Sequence, residues 1–138
     1  MMEKTVSIAR RSIEIEGFNH AGQPIPAASR KGGLIVTGGV YGLDPFTGRL
    51  PDSVTEQVPL MFMQLERILA KAGAGFDDVV RLTVYVKTPE ARPLVNEEWL
   101  RVFPDPTSRP ARHTLTYEHL PANMLVQCYA IAMVADHG

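Results

Sequence analysis

One cysteine and one tryptophan occur in 138 residues, and the chain has no long apolar run and no excess of either charge sign. Each scarcity excludes a class of function. A lone Cys128 cannot close an intramolecular disulfide, and no second cysteine stands by to build a thiolate zinc site, usage that points to a reducing cytoplasm. His20, His113, His119 and His137 show neither HxxxH nor HExxH spacing, and no carboxylate cluster accompanies them, so no metal is expected. Lys plus Arg total 14 against 15 for Asp plus Glu, a net charge of -1, which offers nothing to a phosphate backbone; nucleic acid is not an expected partner. The longest nearly apolar stretch, residues 124–135, is broken by Gln127 and falls short of the ~20 residues that cross a bilayer. Residues 1–12 carry Glu3, Lys4, Arg10 and Arg11 without a signal-peptide core, so a soluble protein with no membrane partner is expected.

What is present fits one domain spanning 1–138, with the first twenty residues as an arm or strand. Ile13 and Ile15 alternate with Glu14 and Glu16, the period of a strand with one wet face. Residues 19–26 contain Gly22, Pro24 and Pro26 and read as an ordered loop. Residues 27–29 and 34–37 read as a hairpin turning at Gly32 and Gly33. Gly38, Gly39 and Gly42 then read as a strand-end bulge, because no GxGxxG or GxxxxGK spacing and no following helix supports a phosphate loop.

Ser53 and Glu56 have capping-box spacing, and Val58, Phe62, Leu65, Leu69 and Ala72 recur at helical intervals up to Gly73. Pro59 is late for a first-turn proline, so the helix start is expected to be kinked or shifted toward Val58. Residues 79–86 are rich in β-branched types and read as a buried strand. Thr88 as N-cap and Pro89 open a second helix through Phe103, followed by strands at 114–117 and 124–134. The last strand is apolar on both faces, whereas two helices cover only one face of a sheet of about six strands. An α+β homo-oligomer follows, with another subunit on the open face.

Arg112 is a candidate anion clamp, since its planar fork holds a carboxylate by two parallel hydrogen bonds. Strand alternation sets Arg112 and Thr114 on one face and His113 and Leu115 on the other, which argues against His113 as its acid–base partner. Cys128 sits among Val126, Ala130 and Ala132 and reads as a small buried hydrophobe, not a nucleophile. Met61 and Met63 read as core and interface filler, and Trp99 and Tyr117 as packing residues. No GxSxG elbow is present.

The run Leu34, Ile35, Val36, Thr37, Gly38, Gly39, then Asp44, Pro45, Thr47 and Gly48, later Asn96, and finally Arg109 to Arg112 with Leu120 and Pro121, resembles the Rid family of enamine/imine deaminases. The match runs from about Pro24 onward, and Pro110, Ala111 and Arg112 form its most specific motif. The resemblance implies a chorismate-mutase-like α+β fold, a homotrimer with ligand clefts between subunits, and hydrolysis of 2-imino or enamino acids without metal or cofactor. It implies that Arg112 binds the carboxylate of a small metabolite, that Asn96 is the family's helix asparagine, and that the Thr114 backbone helps cradle the ligand.

The departures are as specific. Where the family has a water-orienting glutamate, this chain has Tyr129, with Gln127 on the same strand face. The pocket tyrosine becomes Ile25 and the serine of the glycine-rich strand end becomes Gly38, beside Gly39. A phenol is a poor base at neutral pH but can hold a water. The expectation is a deaminase in which Arg112 anchors and Tyr129 orders water. The alternative is a trimeric module that binds small carboxylated metabolites without turnover, and the ribonuclease activity attributed to some relatives is disfavoured by the charge balance.

Overall fold

The computed structural model describes residues 8–135. Within them six strands form one mixed sheet, in the order β1 (Arg11–Ile13), β2 (Ala28–Lys31), β3 (Leu34–Thr37), β6 (Val126–Met133), β4 (Val79–Val86) and β5 (Ala111–Thr116). Neighbours are antiparallel except β4 and β5, which run parallel. The helices α1 (Val54–Lys71) and α2 (Arg92–Val102) pack together over one face of the sheet, giving an α+β fold. The part of the N-terminal arm before Ile8, and His137, lie outside the described residues.

The core lies between α1 and the sheet. Val58, Phe62, Leu65, Leu69 and Ala72, the helical stripe seen in the sequence, are all buried, as are Met61 and Ile68. Opposite them, Val126, Cys128, Ala130 and Ala132 of β6 and Leu82, Val84 and Val86 of β4 are sealed. Two buried glutamines bind the loops to α1. Gln57 donates to the Pro51 and Asn123 carbonyls and accepts from the Leu125 N–H, while Gln64 donates to the Gly17 and Leu43 carbonyls. Burying such amides is tolerated because their polar atoms find partners.

Several boundaries differ from the sequence reading. The helix α1 starts at Val54, not near Val58. Ser53 caps it by accepting from the Thr55 N–H, and Pro59 lies on the exposed side, where water can serve the backbone carbonyl it leaves unpaired. Thr88 makes no side-chain cap; Pro89–Ala91 form a separate 3-10 turn before α2, since Pro89 and Pro93 both lack the N–H that a continuous helix needs. The first strand is Arg11–Ile13, ending where Ile13 pairs with Ala28. The fifth begins at Ala111, three residues before the expected start, because parallel pairing with β4 already engages Arg81 with Ala111. Arg112 therefore lies within a strand and not ahead of it.

Candidate functional site

The first half of the site forms where β3 ends. The strands β3 and β6 pair at Val36 with Ile131, and meet again at Val40 with Cys128, so residues 36 to 40 oppose residues 131 to 128 with one extra residue. This is the bulge expected from Gly38 and Gly39. The Thr37 hydroxyl fills the broken ladder, accepting from the Ala130 N–H at 2.9 Å and donating to the Gly38 carbonyl at 2.8 Å. A Cβ at Gly39 would come within 2.8 Å of the Gln127 Cδ, so glycine is what lets that side chain lie across the bulge.

Below the bulge a cavity of about 540 Å³ is lined by Gly38, Gly39, Tyr85, Tyr117, Gln127 and Tyr129, with Thr37, Leu120 and Pro121 at its margin. Tyr85 lies between the other two phenol rings, 6.4 Å from Tyr129 and 6.3 Å from Tyr117 between ring centres. Tyr117 is 47% exposed and lines this cavity, which corrects its reading as a packing residue; it follows the last residue of β5 and so escapes the core. Tyr85 was not singled out in the sequence, although its parity with Thr83 on β4 carries the signal.

The loop at 19–26 is tied to the bulge by two contacts that the sequence did not reveal. The His20 Nε2 lies 2.8 Å from the Gly39 carbonyl and its Nδ1 3.3 Å from the Ile25 carbonyl; the shorter contact fits a ring with its proton on Nε2. The Tyr41 hydroxyl donates to the Asn19 carbonyl at 2.6 Å, and burial raises its pKa. Ile25 does not line the cavity. Its side chain is half exposed, and it touches the site only through this loop.

The second half lies elsewhere. The Arg112 Nη2 donates to the Asn96 Oδ1 at 2.5 Å, and its guanidinium stacks over the Trp99 ring, 5.0 Å from the centre. Asn96, Trp99 and Arg112, with Leu100, Arg109 and Pro110, line an open groove of about 420 Å³. Trp99 thus packs, as read, and also fixes the plane of the arginine fork. Burial first, and then the charge of Arg92, pull the Arg112 pKa below its ordinary value, yet a guanidinium stays protonated at any working pH. Arg109 is a brace, donating to the Phe103 and Pro104 carbonyls. Cys128 is buried, and burial pushes its thiol far above the usual range, which leaves it inert at neutral pH.

Strand register separates the two halves. Arg112 pairs with Leu82, and Leu82 with Ala130, all on the helix-covered face; one step along, Thr83 pairs with His113 and with Tyr129 on the open face. Within one chain Arg112 and Tyr129 cannot face the same ligand. Tyr129, Gln127, Gly38 and Gly39 are brought together, Arg112 and Asn96 are brought together, and Thr114 stands two residues along from Arg112 on its face.

A family model described as "Endoribonuclease L-PSP" matches residues 20–134. The chain is 30% identical over 110 residues to a RutC family protein of Aquifex aeolicus, covering 80% of this chain and 88% of the relative. It is also 30% identical over 127 residues to Reactive Intermediate Deaminase A, chloroplastic, of Arabidopsis thaliana, covering 91% of this chain and 67% of the relative. The crystal structure of the YjgF gene product from E. coli superposes with a TM-score of 0.80 at 27% identity, covering 89% of this chain and 98% of that one.

Proposed function

The chain belongs to the Rid family, and from that membership we propose that it hydrolyses 2-imino or enamino acids to 2-keto acids and ammonia, in clefts between the subunits of a cytoplasmic homotrimer. The observation that carries the reading is the division of the site. A carboxylate clamp, Arg112 on β5 at the sheet edge with Asn96 on α2, stands on one face, and a tyrosine-walled cavity opens on the opposite face. Neither half is a complete site, and a second copy that brings its β5 edge to the Tyr129 face supplies what each lacks. The uncovered apolar side chains Leu34, Val36, Ile131 and Met133 on that face support the same assembly.

The chemistry asks little of the protein. Water adds to the carbon of the protonated imine, the nitrogen takes up the water's protons, and the C–N bond breaks to leave a carbonyl and an ammonium ion. Arg112 holds the substrate carboxylate by its fork, with its plane set by Trp99 and Asn96. The Tyr129 hydroxyl, with the Gln127 amide beside it, holds the attacking water near the imine carbon. The gain comes from orientation, because imines already hydrolyse unaided in water.

One observation favours binding without turnover: no carboxylate lines the tyrosine cavity among the described residues. The decisive experiment follows the loss of an imine generated in situ by an amino-acid oxidase. Acceleration that falls about 10-fold or more in Arg112→Lys, with loss of the bidentate fork, supports the deaminase. Binding of 2-oxobutyrate by calorimetry without any acceleration selects the binding module, and unchanged kcat/KM in the arginine variant refutes the anchor.

A further inference from the structure

Beside the arginine half of the site, outside the lining of its groove, stands a second cation that the proposed chemistry leaves unused. Arg92, the first residue of α2, donates from Nη2 to the Thr114 carbonyl at 3.3 Å, which sets its guanidinium beside the strand face that carries Arg112. Asn96, which binds Arg112, lies one helical turn further along α2, so clamp and second cation share one face of the helix. On the strand face that carries Arg112, the Thr114 hydroxyl is buried and has no hydrogen-bond partner, the sole such side-chain atom among the described residues.

The charges are arranged to receive an anion. The ion pairs among the described residues join Arg101 to Glu98 and His119 to Glu118, so neither Arg92 nor Arg112 has a carboxylate in contact. The first turn of α2 carries no acidic residue, and an arginine occupies the helix N-terminus, where the macrodipole favours negative charge. Arg92 is near enough to lower the Arg112 pKa through their mutual repulsion. Glu90, in the preceding 3-10 turn, is in ion-pair contact with neither group. Two like charges and an inverted helix end would both be relieved by one ligand carrying two negative groups.

We infer that Arg92 makes the cleft selective for doubly acidic substrates, 2-imino or enamino acids with a second carboxylate, which Arg92 receives while Arg112 holds the first. The inference rests on the reading of Arg112 as carboxylate anchor. Arg92 is exposed, so its replacement leaves the core untouched.

The test compares 2-iminoglutarate with 2-iminobutyrate as substrates, and 2-oxoglutarate with 2-oxobutyrate by calorimetry, for wild type, Arg92→Gln, Arg92→Lys and Arg112→Ala. The diacid-to-monoacid ratio is the readout. It is expected to favour the diacid in wild type, to fall about 10-fold in Arg92→Gln, and to recover in part in Arg92→Lys. A ratio that Arg92→Gln leaves unchanged, while Arg112→Ala still loses both acids, overturns this inference and leaves the anchor standing. Binding of both acids that survives Arg112→Ala overturns the anchor and the inference together. Calorimetry distinguishes these outcomes even if no imine is turned over.

Discussion

The two faces of β6 differ as sharply as any two regions of the molecule. On one, Val126, Cys128, Ala130 and Ala132 are at most 1% exposed beneath the helices; on the other, Gln127, Tyr129 and Ile131 are half-buried and Met133 is 54% exposed. Both faces are largely apolar in sequence, so hydrophobicity alone does not distinguish them. What separates them is what each meets. The first face finds its partner in α1 of the same chain, and its side chains are small because a helix must lie close. The second presents larger side chains, a row of phenols and a bulged edge, and finds no cover within the chain. Strand parity thus divides one element into a half that holds the subunit together and a half available for assembly and chemistry.

The contrast is tested most severely on the covered face. Phe62→Ala removes a ring that is 1% exposed and should cost about 3–5 kcal/mol, read from urea denaturation at matched protein concentration. The same variant should speed labelling of the Cys128 thiol, which reagent reaches only when the core opens. Labelling of native wild type as fast as that of the unfolded chain would show that the covered face is not sealed. On the open face, Ile131→Glu places a charge between Val36 and Arg81, its cross-strand partners. It should convert the proposed trimer to folded monomer in sedimentation at an unchanged circular dichroism spectrum. A wild type that sediments as monomer would remove the assembly from the account.

The elements most legible in the sequence were those whose apolar period is long and uninterrupted. The stripe of α1 and the β-branched run of β4 lie where their patterns put them, because burial against a single partner surface imposes that period. The glycine bulge was legible for a different reason: Gly39 spares a side chain where Gln127 must lie, and Gly38 spares one where His20 lies. Less legible were starts that depend on partners distant in sequence. The early residues of β5 owe their strand state to β4, some thirty residues away, and nothing local in Pro110, Ala111 and Arg112 announces it. Of the site, Arg112, Asn96, Gln127 and Tyr129 could be named from the family resemblance. Their separation onto two faces could not, since it needs the register of β4 against both of its neighbours. His20 and Arg92 left no trace, because each acts by reaching a backbone carbonyl, at Gly39 and Thr114, that only the fold brings near.

The smallest effect separates tyrosines by burial. Tyr41 is buried against Phe18 and donates to the Asn19 carbonyl, whereas Tyr129 fronts the open cavity. Tyr41→Phe removes one hydrogen bond and should cost about 1 kcal/mol, while Tyr129→Phe should alter turnover more than stability. The pH dependence has a definite sign. Burial raises the Tyr41 pKa above its ordinary 10.0, so the folded state keeps the phenol neutral while the unfolded chain ionises it. This contribution is fully present below about pH 10 and is lost as pH rises through the folded-state value, so stability should fall on the alkaline side. Melting temperatures followed from neutral to alkaline pH should show that fall in wild type and a shallower one in Tyr41→Phe. Equal slopes would mean that the Tyr41 phenol ionises as freely in the folded protein as in the unfolded one, and that its place beside Phe18 is open to water.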